Sequence, residues 1–332
     1  MLSIYTQEND RILSSAINTE GEVLPACQLG AVWYDLYNPT RNEDNYVEQC
    51  LSLSIPTRAE MDEIEPSARL YNEEDAEFMT VTALSELDSE EPVKTPITFV
   101  LKGGSLVTVR YAEPLPFTTF AHRIQKPGGP ACTSGEMAML GILEAMINRM
   151  ADILERVGGD VDRFSHKVFR SRVRNATQKT LNLNAVIEQI GRKGDMLSMV
   201  RESLVSFTRL LSYHQAIAKG TTKAGKDVRQ KMKILQRDVG SLTDHAAFLT
   251  NKINFLLDAT LGLINLEQNQ IIKIFSVAAV VFLPPTLVAS IYGMNFDYMP
   301  ELKWVLGYPW AFALMVLSAI LPYLYFKRRG WL

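Results

Sequence analysis

Two stretches near the C-terminal end constrain this chain more than any other feature. Ile274 to Tyr292 and Trp310 to Phe326 carry no charged side chain and are rich in Val, Ala, Leu and Phe. As helices, each would extend roughly 25–28 Å, close to the thickness of a bilayer's hydrocarbon core. A backbone in that medium must satisfy its own hydrogen bonds, so a pair of transmembrane helices is expected. The link between them is too short for a domain, which makes the pair a hairpin with both outer ends on one side. Lys273 precedes the first span, and Lys327, Arg328 and Arg329 follow the second. The link holds only Lys303 against Asp297 and Glu301. The excess of basic residues at the outer ends places both termini in the cytosol. Trp304, Tyr308, Trp310, Tyr323 and Tyr325 suit the two interfaces.

The remaining length is enough for a further domain with its own core. Prolines recur from Pro25 to Pro130, and none follows until Pro284. Proline ends helices, so the proline-free middle is expected to be long helices. The first part reads as mixed α/β. Ala31 to Leu36 and Glu77 to Thr82 have strand character. Ile97–Leu101 and Leu106–Arg110 flank Gly103-Gly104 as a hairpin. Arg58 to Ala68 reads as a short helix interrupted at Pro66. From Ser134 the period becomes helical, with Met137, Leu140, Leu143, Ile147 and Met150 on one face. Gly158-Gly159 is expected to punctuate that helix. A long helix then runs from Lys226 through the first span, on the order of 100 Å in all. Leu242, Leu249, Ile253, Leu256 and Leu263 form a heptad-like seam on it, suited to another helix or a symmetry mate.

These readings divide the chain into a cytosolic α/β domain (1–133), a cytosolic helical region (134–225) and a stalk helix continuing into the first span (226–292). An external loop (293–309), the second span (310–326) and a basic tail (327–332) complete it.

A net charge of −3 gives no global pull toward nucleic acid. Locally, residues 1–95 hold 20 acidic against 5 basic side chains. Basic residues collect at Lys167–Arg174 and Lys219–Arg237, where anionic lipid or neighbouring subunits are candidate partners. Cys27, Cys50 and Cys132 are odd in number and far apart. No disulfide framework or zinc site is expected from them, and a reducing compartment fits best. The N-terminal residues have no apolar signal core. Gly220 to Lys226 imitates a phosphate-binding loop. Asp227, however, stands where Ser or Thr would hold Mg²⁺, and no strand precedes it, so an ATPase is rejected. His122, His166, His214 and His245 lack metal-ligand spacing. No nucleophile–base pair or metal-hydrolase set appears, so neither an enzyme nor an organic cofactor is expected.

The chemistry lies at the end of the first span, in Tyr292-Gly293-Met294-Asn295. Gly293 lets backbone carbonyls approach a ligand or another chain. Mg²⁺ dehydrates reluctantly and keeps several waters, so a ring of amide oxygens can bind its hydration shell without trapping the ion. Two spans cannot enclose a pore, so this chemistry needs an oligomer. Pro284 and Pro285 withhold the amides that would bond the carbonyls of Val280 and Val281. Freed carbonyls beside Thr286 could wet a pore, or could mark only a tolerated kink.

Tyr292 to Asn295, followed by Phe296 and by Met299 to Leu302, resembles the CorA family of magnesium transporters. Asn265 to Phe275, Phe282 to Leu287 and the tail from Lys327 to Leu332 resemble its proteobacterial branch. The resemblance implies a homopentameric, funnel-shaped channel in the bacterial inner membrane, passing Mg²⁺ and also Co²⁺ and Ni²⁺. It implies a selectivity ring of Gly293, Met294 and Asn295, with Glu301 in the external loop. The family's pore positions fall on Ser290, Thr286, Leu283, Ala279, Phe275, Ile272 and Asn269, with Asp258 as an acidic ring deeper in the funnel. Their spacings of three and four put them on one helical face. Leu283 and Ile272 stand where other branches place methionines. Intracellular Mg²⁺ held between subunits closes such channels. Glu74, Asp75 and Asp244 are the candidates here, against a solvated acidic face. Two alternatives stand beside this: the family's zinc-transporting branch, which typically has Ile at the position of Met294, and a non-conducting membrane-anchored scaffold.

Overall fold

Period-two alternation organises the N-terminal sheet. Tyr34, Leu36, Phe78, Val100, Val107 and Val109 form one buried face. Trp33, Asp35, Phe99, Thr108 and Arg110 point the other way and are also buried. A strand that is apolar on both faces must be covered on both, and helices do this here. The structure, a computed structural model, describes residues 1–8, 11–17, 25–28, 30–87, 92–127, 132–170, 176–217, 223–295 and 299–331.

The strands are β1 (Leu2–Glu8), β2 (Arg11–Ala16), β3 (Ala31–Tyr37), β4 (Leu70–Glu73), β5 (Ala76–Ser85), β6 (Val93–Lys102) and β7 (Ser105–Arg110). They form one sheet in the order β2-β1-β3-β7-β6-β5-β4. Only the central β3–β7 pair is parallel, with Tyr34 opposite Val107. Helices α1 (Arg41–Leu51), α2 (Arg58–Asp62) and α3 (Pro66–Arg69) follow β3. Tyr46, Val47 and Met61 close the Tyr34 face of the sheet. Thr57 and Glu60 form a capping box that starts α2. Pro66 opens α3 rather than interrupting a helix, because proline suits a first turn whose amides have no partner anyway.

The other face is covered by α4 (Leu115–Gln125), α5 (Gly135–Arg170) and α6 (Ala176–Ile217). Phe117 and Phe120 of α4 pack on Trp33, at 6.3 and 5.8 Å between ring centres. Ser203 of α6 donates to the carbonyl of Thr82 at 2.7 Å. Arg110 lies in this layer, about 5% exposed, in a fork with Asp35 at 3.0 and 2.8 Å.

Two further expectations are corrected. Gly158-Gly159 does not punctuate α5, which runs unbroken from Gly135 to Arg170. A Cβ on Gly158 would lie 3.7 Å from Leu249, an ordinary contact, so the helix accepts this glycine without requiring it. Cys27 and Cys50 form a disulfide, with Cα atoms 5.5 Å apart. The segment before β3 returns alongside α1, where Tyr46 donates to the carbonyl of Ala26 at 3.2 Å. Cys132 is the free cysteine, and burial pushes its thiol up to about 11.

The last helices are α7 (Lys223–Tyr292), continuous over 70 residues, and α8 (Gly307–Arg328). By contact the chain groups into two units: Met1–Phe164 with Gln189–Asn254, and Ser165–Glu188 with Phe255–Leu332.

Candidate functional site

Both α7 and α8 are long and apolar enough to cross a membrane, and only 6% of each apolar window is buried. A core helix of a soluble protein would be mostly covered. Along the upper part of α7 the exposure is patterned. Ile271, Ala278, Val281, Pro285, Val288 and Tyr292 are partly covered, at spacings of three, four and seven. Asn269, Ile272, Phe275, Ala279, Leu283, Thr286 and Ser290 are all exposed. The seven expected pore positions therefore share one uncovered face of a single helix.

Pro284 and Pro285 lie within this helix without ending it. The Thr286 hydroxyl donates to the carbonyl of Leu283 at 2.8 Å. A hydroxyl one turn on can bond a backbone carbonyl inside an apolar span, where no bulk water is available to do so.

At the end of α7 the chain turns on Gly293, whose N–H donates to the carbonyl of Ala289 at 3.0 Å. A Cβ there would sit 3.1 Å from that oxygen, so glycine permits the tight exit. Met294 and Asn295 follow and are exposed. Phe296, Asp297 and Tyr298 lie outside the described residues. Glu301 belongs to a 3-10 turn, Pro300–Lys303. Its carbonyl accepts from the N–H of Trp304 at 3.3 Å. A Cβ on Gly307 would meet that same carbonyl oxygen at 2.4 Å, so the start of α8 requires glycine.

The heptad seam is resolved within the chain: Leu249, Ile253 and Leu256 are buried. Leu249 approaches Gly158, and Ile253 approaches Gly194. Asp258 and Asp244 are exposed on α7. Glu74 and Asp75 form the two-residue turn between β4 and β5, with φ of 50° and 61°. Both central residues of that turn sit in the left-handed region, where glycine and asparagine are usual. Among the described residues, no three His, Cys, Asp or Glu side chains are placed to hold a metal ion. One chain thus does not assemble Glu74, Asp75 and Asp244 into a cation site.

His245 is exposed and stacks on Phe248 at 6.3 Å between ring centres, as a helix-surface residue would. Sequence reasoning missed His214. It is buried on α6 between Glu77 and Glu136, three positions with no shared sequence signal.

The chain matches the family described as CorA-like Mg²⁺ transporter protein over residues 28–328. It is 36% identical over 332 residues to the magnesium transport protein CorA of Escherichia coli (strain K12), covering all of both chains. Its fold is similar to the complete CorA magnesium transporter of Methanocaldococcus jannaschii. The TM-score is 0.71 at 21% identity, covering 100% of this chain and 99% of that one. The ZntB cytoplasmic domain of Vibrio parahaemolyticus is more distant in fold, with a TM-score of 0.55 at 10% identity over 80% of this chain and 97% of that one. End-to-end identity at this level, on a fold that carries both candidate spans, makes the chain a member of the CorA-like Mg²⁺ transporter family.

Proposed function

We propose that the chain is a gated Mg²⁺ channel of the bacterial inner membrane, built as a homopentamer with both termini in the cytosol. The observation that carries this reading is the uncovered face of α7 from Asn269 to Ser290, ending on the Gly293-Met294-Asn295 turn. A lipid-facing stripe has no use for Asn269, Thr286 and Ser290. A pore needs such groups to stand in for bulk water. Five copies of this face would line the conduit, with the Asn295 amides and Gly293 carbonyls binding a hydrated ion at its mouth. Ile272 and Leu283 would form its hydrophobic constrictions, and Asp258 would concentrate cations below them. Co²⁺ and Ni²⁺ are the expected secondary ions.

The direct test is Mg²⁺ flux into liposomes holding the purified chain. Flux is expected, and Asn295→Ala should abolish it while the oligomer still assembles. Zn²⁺ flux in place of Mg²⁺ would favour the zinc branch, and no flux from an intact oligomer would favour a scaffold.

Closure by internal Mg²⁺ belongs to the same reading. If the ion bridges carboxylates of adjacent subunits, it binds a symmetric closed state better than a splayed one. Only such differential binding moves a gate. Glu74, Asp75 and Asp244 are the proposed bridging groups, and the missing ligands of any one chain would come from its neighbour. Neutralising all three should shift inhibition toward higher internal Mg²⁺. An unchanged inhibition curve would remove them from the mechanism.

A further inference from the structure

His214 lies one turn from the end of α6 with 3% of its surface exposed, and both of its ring nitrogens face carboxylates. Nδ1 is 2.7 Å from Glu77 Oε2, and Nε2 is 2.8 Å from Glu136 Oε1. The backbone fixes both acids. Glu77 sits in β5, paired with Leu101 of β6. Glu136 follows Gly135, whose N–H donates to the Gly104 carbonyl at 2.6 Å. A Cβ on Gly135 would meet the Leu106 nitrogen at 2.3 Å, so the start of α5 is seated directly on the β6–β7 turn. The backbone under each acid is anchored, and the Glu77 and Glu136 side chains are 17% and 32% exposed.

A neutral imidazole offers one N–H and one lone pair, whereas an ionised carboxylate offers lone pairs only. Two carboxylates on two ring nitrogens are satisfied together only when both nitrogens carry hydrogen. Among the described residues no three such side chains are placed to hold a metal ion. We propose that Glu77, His214 and Glu136 form a proton-held clamp: one retained proton ties the last turn of α6 to β5 and α5, and its loss forfeits one of the two ties.

The surroundings bear on the window. A cavity of about 310 Å³ beside the trio is also lined by Asp75, Lys102 and, on α7, Arg229. Lys102 is engaged with the carbonyl of Ser52. The neighbouring Tyr213 phenol is raised by burial and by the charge of Glu77. Burial opposes the imidazolium, but the bonds and charges of Glu136 and Glu77 outweigh it and push His214 from 6.5 up to about 9. The folded value lies above the unfolded one. The stabilisation is therefore full below about pH 6.5 and is lost as pH rises through about 9. The proton belongs to the trio as a unit, whichever atom holds it at a given instant.

The test is thermal unfolding of the full-length chain in detergent from about pH 7 to about pH 10. The native chain should lose melting temperature between about pH 7 and about pH 9 and level off above that. His214→Gln should melt lower at neutral pH and lack that alkaline fall. Glu136→Gln separates the clamp from mere packing, because its amide can donate to Nε2 and a neutral imidazole then satisfies both neighbours. It should keep near-native stability at neutral pH and also lose the alkaline fall. Lysines and tyrosines titrating elsewhere are common to all three proteins and cancel in the comparison. The same alkaline fall in all three would overturn the proposal. So would unchanged amide exchange over Leu210–Ile217 in His214→Gln at neutral pH.

Discussion

Asp35 and Arg110 in the sheet are each about 5% exposed, yet every face of the pair is engaged. Thr108 donates to Asp35 at 2.8 Å, Arg110 donates to the carbonyl of Ala112 at 2.9 Å, and the guanidinium lies over the rings of Tyr37 and Phe117. The upper part of α7 is the reverse. Phe275, Phe282 and Leu283 are 71%, 68% and 65% exposed, and Thr286 bonds only its own helix. The sheet finishes its chemistry within one chain. The spans leave theirs open, and apolar surface on this scale marks a place where lipid or other copies complete the fold.

The largest effect should come from breaking the sheet's buried pair. Arg110→Ala leaves Asp35 a buried charge without its counterion, which costs about 3–5 kcal/mol. Set against a total stability of about 5–15 kcal/mol, that should lower the denaturant midpoint sharply or prevent folding. Asn295→Ala, on an exposed turn, should leave the midpoint within about 0.5 kcal/mol of the native value while removing flux. Equal destabilisation by the two substitutions would break the comparison, because it would make the Asn295 turn part of a closed core.

What the sequence reveals follows the same division. The spans, the long α7 and the Gly293-Met294-Asn295 turn are legible because charge exclusion, helical period and a short motif are local signals. β3, the β6–β7 hairpin and the core of β5 are legible for the same reason. β1, β2 and β4 escape the reading: β2 and β4 are six and four residues long, and their state is set by the strand they pair with. Gly158-Gly159 looks like a break because each glycine weakens a helix by about 1 kcal/mol, a cost outweighed by the buried apolar face of α5 on both sides of the pair, with Leu154, Val157 and Val161. The Cys27–Cys50 bond and the His214 trio join residues far apart in sequence, at separations of 23 and 137 for Cys27–Cys50 and Glu77–His214. Only the folded sheet brings them together.

The smallest effect sharpens the comparison from within the sheet domain, where one charge is not looked after. Asp44 on α1 has a buried Oδ1 with no partner among the described residues. Burial, then the charges of Glu48 and Glu43, push its carboxyl from 3.8 up to about 6. Here the folded value is raised for an acid, so the sign runs opposite to a paired carboxylate. The folded state holds the proton more tightly, and ionising Asp44 costs stability as pH rises from about 4 through about 6. For a fully buried group a displacement of this size would represent about 3 kcal/mol. Asp44 is only partly buried, and solvent screening reduces the figure to about 1 kcal/mol. Asp44→Asn keeps the shape and removes the charge. It should raise the denaturant midpoint by that amount near pH 8 and by nothing measurable near pH 4, where the native carboxyl is already neutral in the folded state. A gain that is the same at both pH values would mean that the benefit lies in the amide's hydrogen bonds, and Asp44 would then rank with Asp35 as a satisfied group.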